Sequence, residues 1–294
     1  MNNIEVSDIL KATNGKLLLG SLESHITGIS TDSRSIKEGE LFFALKGENY
    51  DGHKFVNQAV SNGASGAIIS SKKEAVSSLL DGFKKCILVE VVDTLKALGD
   101  LAKFYRSNLR TRFIAVTGSN GKTTTKDMIY HVLQNFNSVT RSRKSFNNFV
   151  GVPLTIFDTD STQDFCVVEM GTNAPGEIRR LSEIIFPDFT VLTNISFTHL
   201  EGLGSIEGVA NEKAELIENM AEEGILITNA DDDWCNRIAN RFDGKVISFG
   251  FNKSADIRAS NVKRNDTGFD FTVNDSFTVK LSVLGMHNIY NAMA

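Results

Sequence analysis

The chain has 294 residues, enough for two domains or one large one, and its 41% apolar and 23% charged residues are ordinary for a soluble globular protein. Its 31 Lys and Arg against 36 Asp and Glu give a net charge of −5, which leaves no broad basic field for nucleic acid. No apolar run reaches the roughly 18 residues that cross a membrane, and Met1 to Glu5 do not open a signal peptide, so a cytosolic protein without membrane insertion is expected.

Val6 to Thr13 reads as a short helix and Leu41 to Leu45 as a strand. Lys54 to Asn62 reads as a helix, and Ala67 to Ile69 and Cys86 to Val89 as strands, which predicts a small α/β domain over residues 1–92. Cys86, Cys166 and Cys235 lie far apart with no C-x-x-C pair, so they read as reduced, mostly buried thiols rather than a zinc site or disulfide framework. A helix from Thr94 to Tyr105, with Leu95, Leu98, Leu101 and Ala102 on one face, opens a second domain over 93–294.

The strand Phe113 to Val116 leads into Thr117-Gly118-Ser119-Asn120-Gly121-Lys122-Thr123-Thr124-Thr125. A helix with Met128, Ile129, Val132 and Leu133 at helical spacing follows. Strand, glycine loop, Gly-Lys-Thr and helix make a P-loop, whose N–H groups face a phosphate chain at a helix N-terminus. Lys122 then reaches the outer phosphates and the Thr123 hydroxyl ligates Mg²⁺. The first glycine of the general pattern falls at Val116, a departure from it.

Further along, Phe165 to Val168 reads as a strand, and Pro175 to Ile185 as a helix begun by proline. Thr190 to Leu192 reads as a strand, Ser205 to Met220 as a helix and Ile225 to Ile227 as a strand. This alternation predicts a mostly parallel, doubly wound sheet with ligands at its carboxyl ends. From Asp256 to Leu284 short alternating stretches around Asn274-Asp275 predict a small antiparallel appendage.

Glu169 closes an apolar strand, where a carboxylate is costly unless it meets a cation or caps the next loop. His199 sits in a loop after the strand ending at Leu192, as a solvated side chain or as a ligand or proton carrier. Lys213 falls on the apolar stripe of its helix, four residues after Val209 and four before Ile217. It either snorkels to water or is forced inward as a neutral, reactive amine, and the stripe leaves both open. Asn147 and Asn148 beside a glycine turn suit an oxygen-rich ligand and plain turn chemistry equally, and Asp231 to Asp233 read as a capped turn.

Thr117 to Thr125, Glu169, Thr193 to Glu201, the helix with Lys213 and Gly285 to Asn291, in this order, resemble the Mur ligases. These are ATP-dependent amide-forming enzymes that build the peptide stem of peptidoglycan. The loop form T-G-x-N-G-K-T, with valine in place of a glycine, is similar to that family's version. Val168 to Ile178 and Thr198 to Ser205 resemble the member that joins D-alanyl-D-alanine to a UDP-N-acetylmuramoyl-tripeptide. Thr31 to Arg34 and Leu41 to His53 resemble a uridine-nucleotide-binding domain.

The resemblance implies ATP and two Mg²⁺ ions as cofactors, an acyl phosphate intermediate, and a monomer. It assigns ATP to Gly118, Ser119, Asn120, Gly121, Lys122, Thr123, Thr124 and Asn147, with Asn288 and Asn291 at adenine. One Mg²⁺ falls to Thr123 and Glu169, and a second to Glu169, His199 and Lys213, the last as a CO2-derived carbamate. Lys122, His199 and Lys213 are then the catalytic set, and Thr31, Ser33, Arg34 and Lys46 the UDP side. The family carries a third, C-terminal domain after such a stretch as Gly285 to Asn291, so the 294 residues are expected to bind substrate but to ligate poorly alone. A tripeptide-forming Mur ligase or a folylpolyglutamate-type synthetase shares this activation chemistry. A non-catalytic nucleotide-binding module is the alternative of another class, opposed by the joint presence of Glu169, His199 and Lys213.

Overall fold

The computed structural model describes residues 1–47, 50–70, 86–144 and 146–294. Glu48 and Asn49, part of the stretch that resembles a uridine-nucleotide domain, lie outside the described residues. The chain forms two compact units, Met1–Leu109 with Ile156–Ser161, and Arg110–Thr155 with Thr162–Ala294.

The first unit holds a five-stranded sheet in the order Lys16–Leu19, Ile87–Val91, Gly66–Ser70, Glu40–Phe43, Gly28–Ser30. All neighbours are parallel except the first pair. Leu41, Phe42 and Phe43 are all fully buried, as an inner strand covered on both faces requires. The helix expected over Lys54 to Asn62 divides into a 3₁₀ turn, Gly52–Phe55, and a helix, Val56–Ser61, because Asp51 accepts from His53 N and starts the turn early.

The helix Thr94–Ser107 lies in the first compact unit. Thr94 Oγ1 donates to Ala44 O at 3.1 Å, and the Tyr105 hydroxyl accepts from Asn2 N and donates to Thr159 O, each at 2.8 Å. Its buried face is Ala97, Leu98, Leu101, Ala102 and Tyr105, while Leu95 in the first turn is left at the surface.

The second unit is built on nine strands, from edge to edge Phe277–Leu281, Phe269–Val273, Ile257–Arg264, Lys245–Gly250, Ile225–Asn229, Phe189–Leu192, Arg112–Thr117, Phe165–Glu169 and Val139–Arg141. The last six are parallel, and the first three form the expected antiparallel appendage, continuous with the same sheet. Asn274 and Asp275 both take positive φ, 49° and 53°, the geometry of a tight hairpin turn. The helix read from Pro175 begins at Glu177, because Gly176 takes φ +84°, outside helical space. That read from Ser205 to Met220 comprises the helix Ile206–Ala214 and a 3₁₀ turn, Ile217–Asn219.

The P-loop helix, Lys122–Leu133, fully buries only Thr125 and Lys126. Its apolar residues Met128, Ile129, Val132 and Leu133 instead line an open apolar hollow against Ile114 and Val191. Among the described residues no helix is long and apolar enough to cross a membrane, and Cys86, Cys166 and Cys235 are in no disulfide.

Asp93 accepts from both Leu95 N (2.8 Å) and Lys96 N (2.9 Å) at the start of the helix Thr94–Ser107. Asp93→Ala is expected to lower unfolding free energy by about 1 kcal/mol, read as a lower urea midpoint; an unchanged midpoint contradicts that cap.

Candidate active site

The strand Arg112–Thr117 lies inside the parallel sheet, with Ala115, Val116 and Thr117 fully buried. Val116 stands where the general motif has its first glycine, still in the strand and paired with Glu169, so the loop turns only at Gly118. Gly118 (φ +146°) and Gly121 (φ +82°) take left-handed conformations, and a Cβ there would strike Thr193 Oγ1 and Asn291 Oδ1 respectively. The loop is moored to the segment after Leu192: Ser119 N donates to Asn194 O at 2.8 Å, Asn120 N to Asn194 Oδ1 at 3.0 Å, and Thr193 Oγ1 to Asn120 O at 2.6 Å. The amides of Ser119 and Asn120 are thus engaged, and the first helical turn, beginning at Lys122, is where a helix leaves N–H groups for an anion.

Ser119 to Thr124, Asn147, Glu169, Thr172, Glu177 and His199 enclose a hollow of about 460 Å³, ample for a nucleotide's phosphates. Lys122 Nζ, at its floor, donates to Gly118 O (2.8 Å) and Ser119 O (3.2 Å). Burial lowers the Lys122 pKa, with Glu169 opposing. Glu169 is 1% exposed, and each of its oxygens accepts a hydrogen bond. Its Oε2 accepts from Thr123 Oγ1 at 2.8 Å, and its Oε1 from Asn147 Nδ2 at 2.9 Å.

A hard dication takes oxygen ligands, and Mg²⁺ combines one or two carboxylates with substrate phosphates. The Thr123 hydroxyl and Glu169 carboxylate, side by side beneath the phosphate-facing turn, are such a donor pair and fit one ion. Among the described residues no three His, Cys, Asp or Glu side chains cluster to hold a metal ion.

Lys213 is 2% exposed, which decides between the two readings of the stripe: the amine stays inside. Burial, with Lys122 adding to it, brings its pKa down from 10.5 to about 7, against Glu212 and Cys235. His199 is held at φ +54°, a left-handed conformation uncommon for a side-chain-bearing residue. Desolvation and then the charges of Lys213 and Lys122 lower its pKa, against Glu177, so the three basic groups share one field.

Asn288 and Asn291 do not open into this hollow; both are buried behind the P-loop. Asn291 Nδ2 donates to Asn288 Oδ1 at 2.9 Å, its Oδ1 accepts from Thr125 Oγ1 at 3.3 Å, and Asn288 Nδ2 donates to Leu284 O at 2.8 Å. Asp231 and Asp232 behave as a capped turn: Asp232 Oδ1 accepts from Cys235 N at 2.9 Å, and Asp231 Oδ2 from Phe251 N at 2.6 Å and the Tyr290 hydroxyl at 3.0 Å.

In the first unit, Thr31, Ser33 and Arg34 line a separate hollow with Asp32, Tyr50 and Gln58. Tyr50 stacks on Phe55, ring centroids 5.1 Å apart and planes 9° from parallel. Arg34 forks onto Asp32 at 2.9 and 2.7 Å, and this hydrogen bonding holds the Asp32 pKa down at about 2. Lys46 is outside that lining, and its backbone pairs with Asp51 in an isolated antiparallel bridge.

Sequence reasoning missed Glu212. Its carboxylate accepts from Gly176 N (2.7 Å), Ile178 N (2.8 Å) and Thr172 Oγ1 (3.2 Å), and so closes the N-terminus of the helix Glu177–Ile185. Its position three residues after Val209, on the buried side of the same helix, is the signal that could have found it.

A glycine loop that opens a helix after a parallel strand, with a hydroxyl–carboxylate pair beside it, makes up a P-loop arrangement. Residues 25–106 match the family model for the Mur ligase family catalytic domain, and 116–294 that for the Mur ligase middle domain. The chain belongs to the Mur ligase family. It is 38% identical over 291 residues to the UDP-N-acetylmuramoyl-tripeptide–D-alanyl-D-alanine ligase of Bacillus subtilis, covering 98% of this chain and 62% of that protein. A crystal structure of MurF from Acinetobacter baumannii matches with TM-score 0.89 and 30% identity, over 100% of this chain and 64% of that one. MurF ligase from Thermotoga maritima in complex with ADP matches with TM-score 0.80 and 30% identity, over 91% and 61%. The chain thus spans somewhat under two thirds of the length of these relatives.

Burying Lys213 gives a pH signature. The unfolded chain binds this proton up to about pH 10.5 and the folded chain only to about pH 7, so the cost of burial is full below pH 7 and fades as pH rises through that window. In CO2-free buffer, Lys213→Met is expected to stabilise the fold most near pH 6, the difference shrinking towards pH 10 in urea unfolding; a pH-independent difference contradicts the inward amine.

Proposed function

We propose that these 294 residues bind the uridine nucleotide and ATP in a ligase that joins D-alanyl-D-alanine to UDP-N-acetylmuramoyl-tripeptide. The observation that carries this is Glu169, a buried carboxylate held by Thr123 and Asn147 at the mouth of the P-loop, in a chain 38% identical to a ligase of that name. A carboxylate and an amine do not condense at neutral pH without activation. In the reaction assigned here, a carboxylate oxygen of the tripeptide bonds to the γ-phosphorus of ATP and the bond to ADP breaks. The amine nitrogen of the dipeptide then bonds to the acyl carbon, and phosphate and a proton leave.

Lys122 and the first-turn amides hold the phosphates in line, and Thr123 and Glu169 hold Mg²⁺, which when bound neutralises charge on the transferring group. The ADP complex of the Thermotoga relative supports the nucleotide assignment. Thr31, Ser33 and Arg34, in their separate hollow with an aromatic stack, are assigned the uridine diphosphate end.

Lys213 is assigned a further task. Its inward amine, in the unprotonated form that burial favours, adds to the carbon of CO2 and releases a proton, giving a carbamate. That supplies the anionic oxygens which, with His199 and Glu169, complete a second dication site. A phosphate-operated switch gains nothing from such a buried lysine.

The test is product mass, in a protein of the relatives' length carrying these residues, with MgATP, D-alanyl-D-alanine and a panel of UDP-dipeptide, UDP-tripeptide and folate acceptors. Ligation confined to the UDP-tripeptide is expected, and Glu169→Gln is expected to lower kcat by about 100-fold or more. Amide formation on a UDP-dipeptide or folate instead moves the chain to another ligase, and no ligation on any acceptor refutes the enzyme reading. For the carbamate, ¹³C NMR with labelled bicarbonate is expected to show a carbamate carbon in the chain and none in Lys213→Met; a spectrum identical in the two refutes it.

A further inference from the structure

Lys126 plays no part in the chemistry above, yet it is 1% exposed, as buried as Glu169. It stands four residues after Lys122, on the same face of the P-loop helix. Its Nζ donates to Lys144 O at 2.8 Å and Ser142 O at 3.1 Å. On its other side lie Asp127 Oδ1 at 3.5 Å and Glu169 Oε2 at 3.9 Å. A cation withdrawn from water is tolerated only where its donors and charge are both answered. Here the donors go to one loop and the charge to two carboxylates.

That loop needs holding. Lys144 takes φ +47°, a left-handed conformation for a side-chain-bearing residue. The same segment reaches Glu169 twice: the Ser142 hydroxyl accepts from Glu169 N at 3.1 Å, and Asn147 Nδ2 donates to Glu169 Oε1 at 2.9 Å. Asn147 also accepts, through its backbone oxygen, from Gly171 N at 2.9 Å. Lys126 therefore touches both the turn that leads to Asn147 and the carboxylate that Asn147 meets. An apolar side chain of equal volume would fill the space and leave two carbonyls without that donor.

We propose that Lys126 is a positioning residue whose Nζ ties the Ser142–Lys144 turn and the Glu169 carboxylate to the P-loop helix, and so sets how Asn147 and Glu169 meet a metal–nucleotide ligand. This rests on the reading of the hollow as a Mg²⁺–nucleotide site. Its role is to fix the direction of two ligating groups, rather than to touch the nucleotide.

The experiment is calorimetric titration of the chain with ADP across a series of Mg²⁺ concentrations, for wild type, Lys126→Met and Lys126→Arg. Lys126→Met is expected to weaken MgADP binding about tenfold, the scale of one hydrogen bond to a charged group. It also raises the Mg²⁺ concentration for half-maximal ADP binding severalfold. Lys126→Arg, which keeps charge and donors, restores most of both. A wild-type Mg²⁺ dependence in Lys126→Met overturns the proposal even if the fold is destabilised, because a merely structural lysine lowers stability without moving the metal requirement. If Lys126→Met lacks the circular dichroism of the folded chain, Lys126→Gln, which keeps donors without charge, carries the same two outcomes. Absence of MgADP binding by the wild-type chain refutes the nucleotide reading, and this proposal with it.

Discussion

Glu169 sits at the carboxyl end of a strand whose other residues from Cys166 onward are fully buried, and its own side chain is closed off from water. A carboxylate in that position is costly unless its oxygens are answered. The parallel register with the P-loop strand, Glu169 opposite Val116, decides what can answer it. It brings the carboxylate beside the start of the helix Lys122–Leu133, within reach of Thr123 on one oxygen and Asn147 on the other. Thr123 of the helix that follows the loop, Ser142 and Asn147 all converge on this one acid.

Around it the fold uses fixed polar contacts where mobile loops would be expected. The P-loop is moored by Thr193 and Asn194, and the Thr172 to Ile178 segment by the Glu212 carboxylate. Such mooring keeps ligand-facing groups near one geometry before a ligand arrives, and preorganised charge is what phosphoryl transfer asks of a protein. Lys213 and His199 are drawn into the same field as Lys122, each with a lowered pKa.

Much of this was legible in the sequence because the signals were local. Gly118, Gly121, Lys122 and Thr123 fall within one motif, Glu169 closes an apolar run, and Lys213 interrupts a helical stripe. What was not legible depends on partners distant in sequence. Lys126 carries no local signal, since nothing nearby says that two carbonyls 16 and 18 residues later meet its Nζ. The burial of Asn291 against Gly121 and Thr125 likewise joins residues more than 160 positions apart. The edge strand Val139–Arg141 is three residues long and half-buried, too short for any period to show. The apolar residues of the P-loop helix kept their helical spacing, yet the spacing said nothing about what would cover them.

The central claim is that Thr123 and Glu169 together hold the metal of a bound nucleotide. Anomalous diffraction from crystals of the chain grown with ADP and Mn²⁺, a stand-in for Mg²⁺, locates that ion directly. The account predicts a manganese peak bonded to the Thr123 hydroxyl, to a phosphate oxygen and to Glu169, directly or through one water. A nucleotide-bound manganese with neither residue in its surroundings would contradict it.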